Sequence, residues 1–206
     1  MVRILALTTN PANPCPALIL DIFVNRLAIM KSSLPELAFR QARLDDTETI
    51  VALVNGAYRG DTSRRGWTTE ADLLDGQRTD TGEIADLIAT PDNMLLLALA
   101  SGRIVASVHI MKQAEDAYLG MLTVDPLQQG RGIGKQLMRQ AEGVAKEAWK
   151  AQRMQMTVIS VRQELIAFYE RQGYVMTGEL QPFPKEERFG IPKVFPLQFA
   201  VLTKPL

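Results

Sequence analysis

Residues 122–138 read LTVDPLQQGRGIGKQLM, and they constrain this 206-residue chain more tightly than any other stretch. A β-type run from Tyr118 to Val124 meets Asp125-Pro126. Proline has no N–H for a ladder, so the strand should stop there. Gln129, Gly130, Arg131, Gly132, Ile133 and Gly134 follow, and a helical pattern runs from Lys135 onward. Glycines at 130, 132 and 134 leave the backbone N–H groups of a helix N-terminus bare and approachable. Together with the positive end of the helix dipole they make an anion site, suited to phosphate.

Two common phosphate loops fit poorly. A Walker A loop needs a hydroxyl residue after Gly-Lys, and here Gln136 follows Gly134-Lys135. A dinucleotide fingerprint needs Gly-x-Gly-x-x-Gly, and the spacing here differs. A glycine-rich turn with no ligand is the plain alternative. The order Gln-x-x-Gly-x-Gly directly after strand-Asp-Pro resembles the acetyl-CoA-binding motif of the GNAT superfamily of N-acetyltransferases. In that family the loop amides hold the CoA pyrophosphate.

A second segment carries the same resemblance. Residues 153–160 (RMQMTVIS) read as a strand, and residues 162–173 (RQELIAFYERQG) read as a helix. Leu165, Ile166, Phe168 and Tyr169 share one side of it, and Gly173 is a natural stop. The run Phe168-Tyr169-Glu170-Arg171-Gln172-Gly173-Tyr174 resembles the family signature F-Y-E-x-x-G-F/Y. The resemblance implies that Tyr169 lies near the thioester sulfur and protonates the leaving CoA thiolate, a task that suits a phenol. A core tyrosine with its hydroxyl satisfied elsewhere is the other reading. Arg162 stands where many relatives carry a cofactor-contacting Asn, and Leu165 where a small Ala is usual. Arg162 then either touches CoA phosphate or pantetheine, or faces solvent.

Composition narrows the partners. Lysines plus arginines equal aspartates plus glutamates, 23 each, so no strong global field draws the chain to nucleic acid or an anionic membrane. The single Cys15 excludes an intrachain disulfide and a cysteine zinc cluster, and no metal is expected. One histidine, His109, with no Gly-x-Ser-x-Gly elbow argues against a serine triad. Residues 17–30 are apolar but short, and they carry Asp21 and Arg26, so a membrane span is not expected. The expected compartment is the cytoplasm. Residues 1–34 read as an N-terminal extension and residues 35–206 as one acetyltransferase domain.

The element order is strand, two helices, three strands, helix, strand, helix, two strands. The helices are read at 48–58 and, after a polar break at 59–65, from Thr68 through Leu74, with a further turn or two at 81–89. Asp45, Asp46 and Thr47 cap the first of them. Residues 93–100 and 104–112 form a hairpin. The expected fold is α/β (α+β): the GNAT acyltransferase fold, a central mixed sheet of six to seven strands flanked by about four helices.

The resemblance also implies how cofactor and acceptor meet. Strands 118–124 and 153–160 lie parallel and splay apart, and pantetheine inserts between them. Backbone groups of Leu122 and Val124 bond its amides, and an N–H near Thr123 polarises the thioester carbonyl. The amine attacks directly in a ternary complex and must be neutral, so a base or water chain removes its proton. Many relatives place a Glu on the strand before the glycine loop, and residues 118–122 contain none. His109 is the first candidate base, with Glu164 and Glu179 behind it. Residues 59–78 should line the acceptor pocket, with Trp67 as a wall, Glu70 or Asp75 drawing the ammonium, and Phe183-Pro184 opposite. The alternative for Trp67 is an anchor that fastens a solvated loop to the core. Three functions follow: an acetyl-CoA-dependent N-acetyltransferase on a small amine, amino acid or peptide; a catalytically weak acyl-CoA-binding module serving as sensor or assembly subunit; or an unrelated nucleotide binder. Family members are often dimers, so the resemblance allows a homodimer.

Overall fold

A computed structural model describes residues 36–187 and 190–206. The apolar stretch at 17–30, Cys15 and the proposed extension lie outside the described residues. Seven strands form one sheet in the order β1-β3-β4-β5-β6-β9-β7. They are β1 (Leu37–Gln41), β3 (Asn93–Ala100), β4 (Arg103–Gln113), β5 (Asp116–Val124), β6 (Arg153–Ile159), β7 (Val175–Pro182) and β9 (Gln198–Pro205). A two-residue pair, β2 (Leu74–Asp75) with β8 (Ile191–Pro192), stands apart. Neighbours pair antiparallel except β5 and β6, which run parallel and are joined by a helix.

That helix is α4 (Ile133–Trp149), which buries Ile133, Leu137, Met138, Ala141 and Ala145 at helical spacing. With α5 (Gln163–Glu170) it packs on one sheet face, against Leu96, Val108, Ile110, Leu119, Met154 and Met156. The other face is covered by α1 (Thr47–Tyr58) and α3 (Thr81–Ala89), whose Ile50, Val54 and Ile84 meet Leu95, Leu97 and Met121. Each fully buried Leu or Ile contributes about 1.5–3 kcal/mol relative to exposure. Among the described residues no helix is long and apolar enough to cross a membrane.

Three local expectations change. Residues 68–73 form loop and turns and Leu74 enters β2, with no helix there; the short helix is instead α2 (Gly60–Ser63), a single turn that begins at the positive-φ Gly60. Asp46 sits at the start of α1, but its carboxylate turns back to the Arg40 guanidinium at 2.7 and 2.8 Å and to the Arg43 N–H at 2.8 Å, and makes no cap bond to α1. Between 81 and 89 there is a full helix, capped by Asp80, which accepts from the Glu83 N–H at 2.8 Å.

Within β5 an extra residue shifts the register. Ser107 faces Thr123 and His109 faces Gly120, so two steps on β4 answer three on β5. Met121 takes φ +47°, the mark of a bulge. Ala117 and Leu119 therefore point to the α4 face, whereas Met121 points to the α1 face. Beyond Ala117↔Met154 and Tyr118↔Gln155, β5 and β6 no longer pair. The expected splay begins there.

Candidate active site

Three concavities meet around the splay. A groove of about 360 Å³ runs from the glycine loop past Leu122 and Val124 to Tyr169. A cavity of about 210 Å³ opens on the other side, lined by Tyr118 to Leu122, Met156 to Ile159, and side chains from 58–78 and 183–199. A small space of about 50 Å³ at Thr123, Tyr58 and Arg162 lies against both sets of residues. Tyr169 lines all three.

The loop is built for close approach. Gly130 and Gly132 take φ +77° and +74°, where a side chain would be strained. Gly132 is the N-cap of α4, whose first turn carries no acid. The first N–H groups of a helix have no partner within it. A Cβ on Gly134 would come 3.2 Å from the Val124 side chain. Gln129 fastens the loop, donating to the Val124 carbonyl at 3.1 Å and accepting from the Trp67 N–H at 2.9 Å. Gly66 permits this contact, since a Cβ there would meet Gln129 Oε1 at 2.5 Å.

Trp67 therefore lines the groove, 48 % exposed and tilted against Phe168 at 5.8 Å, and not the 210 Å³ cavity. Phe168 in turn meets Tyr169 edge-on at 5.3 Å, and Tyr169 meets Tyr174 at 5.9 Å. Burial, first of all, pushes the Tyr169 phenol above its ordinary value, so it carries its proton at neutral pH.

Glu70 also departs from expectation. It is buried and shared by two guanidiniums, Arg59 and Arg162, the latter at 2.8 Å. Both of its oxygens are thus engaged, which removes it as an open counter-charge for an ammonium. Arg162, only 6 % exposed, adds a bond to Thr68 Oγ1 at 2.6 Å. It faces the two inner spaces rather than solvent. Asp75 pairs with Lys193 at 3.2 Å and lies outside this cavity.

The candidate bases are placed away from the cavity. His109 Nε2 is 2.7 Å from Asn93 Oδ1. Burial, aided by the charge of Arg78, pushes its imidazole down to about 4, a weak base. Glu164 accepts from Thr68 Oγ1 at 2.9 Å, and Glu179 lies exposed on edge strand β7. Phe183 and Pro184 do line the cavity. Lys135 lies on the groove, while Arg131 is exposed and outside its lining. Sequence reasoning missed Tyr58 and Tyr118, and it included Arg78 only as the end of the 59–78 segment, with no role of its own. The Tyr58 hydroxyl donates to the Leu122 carbonyl at 3.1 Å, and the Tyr118 hydroxyl bonds Thr157 Oγ1 at 2.8 Å across the start of the splay. Period-two alternation could have placed Tyr118, but nothing local marks the other two.

The profile of the acetyltransferase (GNAT) family matches residues 57–174, more than half of the chain. The chain belongs to the GNAT acetyltransferase family. No curated protein matches it significantly. Solved structures share the fold at low identity. An N-acetyltransferase, PaiA, from Thermoplasma acidophilum in complex with coenzyme A aligns over 83 % of this chain and 99 % of its own, at 16 % identity and TM-score 0.62. A GNAT-family acetyltransferase from Streptococcus pneumoniae covers 83 % and 100 %, at 20 % and 0.59. The ribosomal-protein-S18-alanine N-acetyltransferase from Escherichia coli covers 82 % and 93 %, at 13 % and 0.60. Within this GNAT domain, the family match spans α2, the splayed strands, the glycine loop and Tyr169.

Proposed function

We propose that this GNAT protein transfers an acetyl group from acetyl-CoA to a primary amine of a small molecule, amino acid or peptide, in a ternary complex. The observation that carries this reading is the position of Tyr169, which lines both the groove from the glycine loop and the cavity behind it. A donor entering by the groove and an acceptor entering by the cavity would meet there.

The residues present fit acetyl-CoA. Positive-φ glycines and an acid-free helix start suit a pyrophosphate, and the downstream half of β5, unpaired on its β6 side, suits a ligand rich in amides. Gln129, Gly130, Gly132, Ile133, Gly134 and Lys135 would hold the phosphates, with Arg131 nearby in solvent. Leu122, Thr123 and Val124 would hold the amide arm, and Arg162 would act through Thr68 and Glu70 rather than touch phosphate. Acetyl-CoA supplies an activated acyl group as a thioester. Tyr169, protonated at neutral pH, holds a proton beside the place where thiolate charge develops. The buried walls exclude water and hold the amine close. We assign residues 35–206 to this domain and 1–34 to an extension. The cytoplasm is the compartment this reading implies, because acetyl-CoA is made and used inside cells.

The test is thermal stability with acetyl-CoA, CoA, ATP and NAD, followed by thiol release with an amine panel. A ligand at 100 times its Kd adds about 2.7 kcal/mol, a shift of several degrees. Stabilisation by acetyl-CoA and CoA alone, with turnover, is expected. CoA binding without turnover on any amine would point instead to a sensor or assembly module. Stabilisation only by ATP or NAD would overturn the reading.

A further inference from the structure

The cavity on the acceptor side is small and rich in arginine. Among the described residues its charged lining consists of Arg59, Arg78, Arg162 and Glu70. Glu70 is bonded to Arg59 and Arg162, and Glu164 stands 3.7 Å from Arg162. Arg78 has no carboxylate within ion-pair distance among the described residues.

Arg78 is nevertheless firmly placed. Asn55 on α1 clamps the backbone of Arg78 once and of its neighbour Thr79 twice: Oδ1 accepts from the Arg78 N–H at 2.7 Å and the Thr79 N–H at 3.2 Å, and Nδ2 donates to the Thr79 carbonyl at 2.9 Å. The guanidinium lies over the Tyr58 ring at 5.6 Å. Tyr58 is itself pinned to β5 through the Leu122 carbonyl. A half-buried guanidinium held at its backbone and on its face, with its donor edge open to a cavity, is a ready partner for a planar oxyanion.

We propose that the acceptor is an amine that carries a carboxylate, of amino-acid size, and that Arg78 binds that carboxylate. This rests on the reading of the cavity as the acceptor site of an acetyltransferase. A simple ammonium entering this cavity would meet the Arg78 guanidinium with no carboxylate beside it and be repelled. An amino acid brings its own anion, which Arg78 matches. At about 210 Å³ the space lies below the roughly 300–1,000 Å³ of drug-sized sites, so large acceptors fit poorly.

The experiment compares free amino acids with their methyl esters as acceptors, in the wild type and in Arg78→Gln and Arg78→Lys. The wild type is expected to favour acid over ester by at least about 10-fold in kcat/KM, the size of a charge-assisted hydrogen bond. In Arg78→Gln this preference should collapse through the KM of the acid, while the KM of acetyl-CoA stays put; Arg78→Lys should keep part of it. Should the variants not fold, amine-free carboxylates should compete with the acceptor in the wild type and their esters should not. Equal use of acids, esters and plain amines would overturn the proposal and leave the transferase reading standing. Failure to bind acetyl-CoA at all would instead overturn the transferase reading beneath it.

Discussion

Arg162 donates to Glu70 at 2.8 Å across 92 positions of sequence, joining the start of α5 to the turn that follows α2. Both side chains are under 10 % exposed. Removing one partner of a buried ion pair leaves an uncompensated charge, which costs about 3–5 kcal/mol. Glu70→Gln should therefore lower Tm by roughly 10 °C in thermal melts. A change of a degree or less would mean that this pair adds nothing to the fold.

Tyr169→Phe removes only the hydroxyl and keeps the ring packed against Phe168 and Tyr174. A positioned general acid contributes roughly 10²–10⁴-fold. Turnover measured by thiol release should fall by about that range, with CoA affinity nearly unchanged. Unchanged turnover would strip Tyr169 of the acid role.

Gly132→Glu places a charged side chain at a φ of +74°, on the N-cap of α4. Left-handed backbone costs a non-glycine residue about 1–2 kcal/mol, so the fold should survive. Anion binding should not. The variant should melt cooperatively and show no shift with CoA; a retained shift would place the phosphate site elsewhere.

His109 makes a pH prediction. Its imidazole is pushed down to about 4 in the native chain from 6.5 in the unfolded one, by burial and by Arg78. Above pH 6.5 both states are neutral, and His109 has no effect on the pH dependence. As pH falls from 6.5 toward 4 only the unfolded chain takes up the proton, so native stability is lost. The loss by pH 4 is on the order of 3 kcal/mol. In urea unfolding at pH 7.5 and 4.5, His109→Gln should lose less stability than the wild type. Equal losses would show that His109 titrates normally.

Periodicity and turn chemistry made much of the frame readable. The continuous apolar run at 93–100 is β3 to the residue, and the Asp125-Pro126 stop and Gly132 mark the two ends of the loop before α4. What stayed hidden depends on partners far along the chain. Asp46 looks like a cap until Arg40 comes within reach. Glu70 looks like an open acid until two arginines, one of them 92 positions away, converge on it. Trp67 looks like a pocket wall for an amine, but its backbone bonds Gln129, 62 positions on, and this carries it to the loop side. Arg78 carries no local mark, since its significance lies in the carboxylates that do not approach it.

The extra residue at Met121 acts as a parity switch. Upstream of it odd-numbered side chains of β5 face α4; downstream the even-numbered Leu122 and Val124 pack there. Were the strand straightened at its present length, Met121 and Thr123 would turn to the α4 side and Leu122 and Val124 to the α1 side. Deleting one residue at the bulge would instead remove the kink and keep those faces. The two walls of the site thus take their sides from a mismatch in count, one residue more on β5 than on the β4 strand beside it.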